Sequence, residues 1–350
     1  MKKCPICLDN DATKTNVHMI PWFLIKKVVT QDGSGLREMV MSFSLSPRSM
    51  SKVYTGQGIL PEKIADLGEL SELQIEKHEP YSRDYLICPK CEDKLSKLEA
   101  FFASEFNDKK MHLAVAVKKS KYYDNTLLTA NKYNPAFFEL LVQSIFFRCS
   151  IGRYSGFRLS NDVEVKIAEN LRTAFSIPDF RKLSPLDNFS LLYKFPVIVS
   201  SFHIPEGVDT TRSLITISHS RFPYFLAAGK WQFQMYEHEK HIKSAIQWQY
   251  GLSITLKVPE IYPHLKESST VIILSQADGE KISNNIIHYY VDKRLISLKS
   301  DIQKLHNQIF NFKPESGIVD YILNQYFIHL REGQTEHDAL ALALFDLKKL

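Results

Sequence analysis

Two short stretches, Cys4-Pro5-Ile6-Cys7 and Cys88-Pro89-Lys90-Cys91, decide the fold of the N-terminal part of the chain. In each stretch a two-residue spacer lets both sulfurs face one ion from a tight turn, and four thiolates complete the tetrahedral shell of a structural Zn²⁺. The sequence therefore predicts one structural zinc bound by Cys4, Cys7, Cys88 and Cys91. The alternative is two coincidental pairs of reduced thiols.

The rest of the composition predicts an ordinary globular protein without a membrane span. Hydrophobic residues make up 44% and charged residues 24% of the chain, which is typical of folded domains, and no apolar run is long enough to cross a bilayer. The basic N-terminus is followed by Asp9-Asn10-Asp11 rather than by an apolar segment, which argues against a secretory signal. Without an export signal, paired cysteines favour metal binding over disulfides, and we expect a cytoplasmic protein. A net charge of +5 permits nucleic-acid binding without requiring it.

Changes in residue pattern along the chain predict an α+β protein with two main regions. Residues 1–105 contain both cysteine pairs, with a mostly irregular insertion at 31–84 and a helix over 91–106. Residues 106–350 form the second region, with a possible boundary near 190. We expect helices at 136–149 and 162–175, then an antiparallel sheet with strands at 196–202, 213–218, 223–236, 246–256 and 271–274. A long amphipathic helix over 281–310 and two shorter helices end the chain.

The segments around the cysteine pairs follow one order: cysteine pair, strand with a histidine, loop, strand, cysteine pair, helix. The first strand is Val17-His18-Met19-Ile20-Pro21, and the second leads through Leu86-Ile87 into Cys88-Pro89-Lys90-Cys91-Glu92. This layout resembles the HNH (ββα-metal) endonucleases, and within them the zinc-pinned branch with two CxxC motifs. The resemblance covers residues 1–105 and implies a treble-clef-like, zinc-stabilised ββα module. The wider pattern resembles bacterial HNH-like proteins that tend to lie near phage-defence genes, which implies a role as an antiviral-defence effector.

The resemblance implies a role for each matching residue. His18 matches the general base that activates water, which must be a neutral imidazole. Glu92 occupies the helix position that holds the catalytic ion, and a carboxylate suits Mg²⁺ or Mn²⁺. Glu99 lies two turns further along the same helix and is a second candidate ligand. Asp84 stands near the position of the family's middle asparagine, which braces the loop carrying the base.

Two departures from the family pattern leave the function open. Val17 stands where the motif usually has an acidic ligand, and Ser96 stands where many members have a second ligating histidine. Either Glu99 or a residue of the insertion (Asp32, Asp66 or His78) completes the catalytic metal site, or the module is inactive. The sequence thus predicts a metal-dependent DNA endonuclease, with a catalytically inactive zinc module that binds nucleic acid or a partner protein as the alternative. The C-terminal region would regulate activity or bind the partner protein.

Overall fold

The computed structural model describes residues 2–29, 41–46, 49–55, 81–105, 120–122, 125–130, 135–177, 192–202, 215–218, 223–238, 240–241, 269–274, 276–334 and 336–347. The chain divides into two compact units. The first contains Met1–Ser44 and Lys52–Asn285, and the second contains Leu45–Ser51 and Ile286–Leu350.

The N-terminal part of the first unit contains a short strand pair and two helices. In chain order the elements of residues 2–105 are β1 (Val17–His18), α1 (Trp22–Val29), β2 (Met41–Ser46), β3 (Ser49–Thr55), β4 (Ser82–Arg83) and α2 (Pro89–Glu105), and of these residues Leu45–Ser51 belongs to the second unit. Strand β1 pairs antiparallel with β4, whereas β2 and β3 form a separate two-stranded sheet. Helix α2 begins with a proline, whose fixed φ and missing N–H suit a first helical position. Its residues Leu95, Leu98 and Phe102 recur at helical spacing and are buried.

Two helices and a seven-stranded sheet form the rest of the first unit. The elements are β5 (Ser120–Tyr122), β6 (Asn125–Ala130), α3 (Pro135–Ile151), α4 (Asn161–Ser176), β7 (Val197–Phe202), β8 (Ile215–Ile217), β9 (Tyr224–Ala228), β10 (Trp231–Met235) and β11 (Ser269–Leu274). The strand order is β5-β6-β11-β7-β10-β9-β8, with β11 parallel to β7 and the other pairs antiparallel. Helix α3 is buried on every side from Ala136 to Ser150, as expected of a helix without a polar face.

The N-terminal part and the helices α3 and α4 share one hydrophobic core. The buried cluster joins Cys4, Val17 and Leu95 to Phe138 and Leu171. Aromatic contacts cross the same boundary, since the rings of Phe102 and Phe138 lie 6.0 Å apart. The predicted boundary at residue 105 therefore runs through a continuous core within the first compact unit.

Three helices form most of the second unit. Helix α5 (Gln276–Phe310) continues from the first unit and is followed by α6 (Ser316–Arg331) and α7 (Glu336–Leu347). Their core contains Leu298, Ile302, Val319, Ile322, Tyr326, Ala339, Ala343 and Leu344. His329 of α6 lies with Nε2 2.8 Å from Asp346 Oδ2 and with Nδ1 3.1 Å from Glu332 Oε2. Across the described residues, no helix combines the length and apolarity that a membrane span requires.

The α+β class is confirmed, since the described residues contain seven helices together with antiparallel and mixed sheets. The expectation of a purely antiparallel sheet was wrong, because β11 lies between β6 and β7 and runs parallel to β7. The single strand predicted at 223–236 is a hairpin, and Gly229 supplies the positive φ that its two-residue turn requires. Strands β5 and β6 precede the helices predicted at 136–149 and 162–175 and were not predicted from the sequence. The strand predicted at 246–256 lies outside the described residues.

Candidate functional site

The four paired cysteines converge on one point. Their sulfur atoms all lie within 4.8 Å of one another, and Cys7 Sγ lies 3.7 Å from Cys88 Sγ. Cys4, Cys88 and Cys91 are buried and Cys7 is half-buried. Within the described part of the chain, this is the one group of three or more His, Cys, Asp or Glu side chains close enough to hold a metal ion. The convergence of both pairs is confirmed, and the cluster could bind one ion.

The turns at both cysteine pairs bring N–H donors close to the sulfurs. Leu8 adopts a positive φ of 64° and donates its N–H to Cys4 O at 2.9 Å, which closes the first turn. Asn10 Nδ2 lies 3.6 Å from Cys7 Sγ, and Cys91 N lies 3.4 Å from Cys88 Sγ. Donors to sulfur favour the thiolate, which is the metal-binding form.

Hydrogen bonds between the cysteines, together with burial, shift the pKa values of their thiols. The hydrogen bond from Cys91 lowers the pKa of Cys4 to about 4, and the same bond raises the pKa of Cys91. Burial raises the pKa of Cys88. Four thiolates this close repel one another unless a cation lies among them, so the donor set fits a divalent ion.

Backbone hydrogen bonds between residues 14–19 and 81–87 fix the position of His18. In β1 it lies opposite Ser82, and Met19 N donates to Tyr81 O at 2.7 Å. Two residues before His18, Asn16 N donates to Asp84 Oδ1 at 2.6 Å. Asp84 thus fixes the segment that enters β1, a position compatible with the bracing role that the resemblance implies.

The His18 ring is neutral, and its Nε2 atom is unpaired among the described residues. Nε2 is buried and has no hydrogen-bond partner among the described residues. The ring stacks on Trp22 at 6.1 Å between centroids. Burial, together with the positive charges of Arg148 and Lys14, lowers the pKa of His18 to about 4. The imidazole is therefore uncharged near physiological pH and retains one nitrogen as an acceptor.

Glu92 lies in the first turn of α2, directly after Cys91. Its Oε2 atom is buried and has no hydrogen-bond partner among the described residues. Burial raises the pKa of this carboxyl, the Arg148 charge opposes that rise, and the Glu99 charge adds to it. Arg148 and Lys14 act on both Glu92 and His18, so the two candidate catalytic residues lie in one electrostatic environment. Ser96, one turn further along α2, is exposed.

Arg148 of α3 connects the two sides of this site. Its guanidinium donates through Nη1 to His18 O at 2.8 Å and through Nη2 to Glu99 Oε1, and its Nε lies 3.4 Å from Ser144 O. The Arg148 side chain is only 1% exposed, and the Glu99 side chain is 15% exposed. Glu99 is thus ion-paired, which lowers its availability to a second cation. The site is tied to α3, which lies outside residues 1–105.

Further contacts fix the N-terminal part on α3 and α4. Arg172 Nε donates to Ile6 O at 2.7 Å, within the first cysteine pair. Lys94 Nζ donates to Phe175 O near the end of α4. Cys149, which is buried, points its sulfur at Met19 O over 3.6 Å. Both the metal cluster and the His18 strand are therefore positioned by the helices that follow.

Sequence reasoning did not find Arg148, although a signal was present. The segment Ala136–Cys149 is apolar apart from Glu139, Gln143, Ser144 and Arg148. A charged residue in such a helix must be buried, and a buried charge needs a partner elsewhere in the fold. Asp32, Asp66 and His78, the alternative ligands from the insertion, lie outside the described residues. Comparisons with family models, with curated proteins and with solved structures found no match to this chain.

Proposed function

We propose that the four-cysteine cluster binds a structural zinc ion. A tetrahedral ion with Zn–S bonds of about 2.3 Å separates its sulfurs by about 3.8 Å, and the Cys7 and Cys88 sulfurs lie 3.7 Å apart. The closed set of four thiolates leaves no position for water, which favours a structural over a catalytic ion. The ion would link the strand carrying His18 to the helix carrying Glu92.

We further propose that the chain is a metal-dependent nuclease that cleaves phosphodiester bonds in DNA. The proposal rests on two buried atoms without partners, His18 Nε2 and Glu92 Oε2. Buried polar atoms are nearly always hydrogen-bonded, so two such exceptions in one electrostatic environment favour a site built for a ligand. Their residues are the two that the HNH resemblance selects from sequence.

In this function the neutral His18 imidazole accepts a proton from the attacking water. The water oxygen forms a bond to phosphorus as the bond to the leaving oxygen breaks, and the leaving oxygen takes up a proton from solvent. Glu92, with Glu99 as a second ligand, would hold a Mg²⁺ or Mn²⁺ ion. Such an ion supplies positive charge to the phosphate and the leaving oxygen. With one unpaired carboxylate oxygen available, substrate oxygens and water would have to complete its shell.

A plasmid-nicking assay with added Mg²⁺ or Mn²⁺ tests the nuclease proposal. We expect His18→Ala to abolish nicking, because His18 carries the unpaired nitrogen assigned to activate water, whereas the Glu92 carboxylate is assigned to the ion. His337→Ala is the matched control, since His337 is exposed in α7, and it should cut like the parent. Full activity of His18→Ala under conditions where the parent cuts would refute the assignment.

A zinc module that binds nucleic acid or a partner protein without cleaving is the second candidate. Two observations favour it. Glu99 is already paired with Arg148, and among the described residues the cysteine cluster is the one group that could hold a metal ion. Binding of DNA by a protein that never cuts, with any divalent ion, would support this candidate. A cytoplasmic location, a role in antiviral defence and a partner-binding C-terminal region rest on the sequence and stay predictions.

A further inference from the structure

Lys14 and Tyr85 lie side by side at the edge of the candidate site. Tyr85 N donates to Lys14 O at 2.8 Å, and Lys14 N donates to Ile87 O at 3.1 Å. The backbone of each residue is therefore fixed by the set of backbone hydrogen bonds that also positions His18. Lys14 precedes His18 by four residues, and Tyr85 precedes the second cysteine pair by three.

Lys14 brings a cation to this edge that no described side chain neutralises. Its side chain is half-buried, and its Nζ atom has neither a hydrogen bond nor an ion pair among the described residues. By contrast Lys3, Lys97 and Lys299 each pair with a carboxylate. The Lys14 charge acts on both His18 and Glu92, so its ammonium lies near the two atoms without partners. A phosphate group would satisfy it.

Tyr85 presents an aromatic ring to solvent from a constrained backbone. The residue is 44% exposed, and its ring and hydroxyl have no side-chain partner among the described residues. Its φ of 60° places a bulky non-glycine residue in the left-handed region, which is uncommon and costs free energy. The surrounding backbone hydrogen bonds hold this conformation, and they place the Tyr85 backbone beside that of Lys14 while the ring is exposed.

We propose that Lys14 and Tyr85 together bind one nucleotide of an unpaired DNA strand next to His18. The Lys14 ammonium binds the phosphate, and the Tyr85 ring stacks on the base. An aromatic ring can stack only on a base whose face is free, and in a duplex both faces are covered by neighbouring base pairs. The substrate class is therefore single-stranded or locally unpaired DNA. This inference rests on the proposed function, because it takes the His18 site as the place where the phosphate lies.

Binding can be measured separately from cleavage. We would use the full chain with His18→Ala as the background, without added Mg²⁺ or Mn²⁺, so that the structural metal stays bound and no strand is cut. Fluorescence anisotropy would measure affinity for a labelled thymidine oligonucleotide and for a duplex of equal length. The test variants are Lys14→Gln and Tyr85→Leu. Their controls are Lys97→Gln, which removes an exposed charge from α2, and Tyr193→Leu, which removes a ring of similar exposure, 46%. Circular dichroism and zinc content would verify the fold of each variant.

The two test variants should differ in their dependence on salt and on strand form. Lys14→Gln removes one phosphate contact, so the slope of log affinity against log salt should fall by about 0.9 on the duplex and about 0.7 on the single strand. At one high salt concentration the variant and the background protein have equal affinity for the duplex. At a tenfold lower salt concentration, the smaller slope corresponds to about an eightfold lower affinity of the variant. Tyr85→Leu should weaken single-strand binding by roughly tenfold and leave duplex binding nearly unchanged. Both controls should bind like the background protein.

Three results would overturn the inference: no binding of DNA by the background protein, equal losses in the controls, or a Tyr85→Leu effect that is the same for both strand forms. The nuclease proposal fails on a different result, retained cleavage in His18→Ala, so the two failures are distinguishable. A chain that binds single strands through Lys14 and Tyr85 but never cuts would keep this inference and favour the non-catalytic candidate.

Discussion

Replacing Arg148 with methionine removes the one buried cation that joins α3 to both sides of the candidate site. The change deletes the hydrogen bond to His18 O and leaves the Glu99 carboxylate, only 15% exposed, without its partner. Breaking a buried ion pair from one side costs about 3–5 kcal/mol. A lost hydrogen bond from a charged donor costs about 1.5–3 kcal/mol. The two costs overlap, because both arise from one guanidinium, and we expect the free energy of unfolding to fall by about 4 kcal/mol.

Urea unfolding followed by circular dichroism measures this loss, and a double-mutant cycle identifies its origin. Glu99→Gln alone leaves the guanidinium without its paired carboxylate, whereas the double variant removes both charges of the pair. The double variant should therefore be more stable than the sum of the single losses predicts, by about 1–3 kcal/mol. Lys97→Met, which breaks the exposed pair with Asp93, is the control and should cost less than about 0.5 kcal/mol. A loss below about 1 kcal/mol for Arg148→Met, or strict additivity, would show that the Arg148–Glu99 pair does not stabilise the fold.

Three further predictions concern the metal, the second unit and the packing of the site. Elemental analysis should find one zinc per chain, and Cys4→Ser should lose the metal and expose the N-terminal part to protease; purified protein free of zinc would contradict this. The carboxylates of Asp346 and Glu332 raise the pKa of His329, so protonated His329 stabilises the folded state. This stabilisation should be complete below the pKa of histidine in the unfolded chain, near 6.5. That effect should disappear as pH rises through the raised folded value, which thermal melts of His329→Gln against parent would detect. Gly152→Ala would place its Cβ 2.3 Å from the Met19 sulfur and should cost about 1–3 kcal/mol, whereas Gly317→Ala meets nothing within 4 Å and should be neutral or stabilising.

The parts of the site that the sequence predicted are those governed by local spacing. The two-residue spacer in each cysteine pair fixes where its sulfurs point, so the convergence of four cysteines could be inferred across a long insertion. The apolar periodicity over 91–106 likewise predicted a helix, which the structure places at Pro89–Glu105. Pairing between distant segments was not predictable from spacing, because the partner of Arg148 depends on how α3 packs against α2. The parallel pairing of β11 with β7 depends in the same way on long-range sheet topology.

The departures of the site from the HNH pattern change its charge, and with it the ligands that the site favours. Val17 replaces an acidic ligand and Ser96 replaces a histidine ligand, so the motif loses one negative charge and one neutral ligand. Two basic residues, Arg148 and Lys14, act on its remaining polar groups. Positive charge beside the site weakens the binding of a free divalent ion but strengthens the binding of a phosphate. If the chain is a nuclease, substrate and metal should therefore bind together, with the phosphate supplying oxygens that the protein lacks. Metal affinity of the His18→Ala variant measured by calorimetry should then rise when an ordinary DNA oligonucleotide is present, and equal affinity with and without it would favour the non-catalytic module.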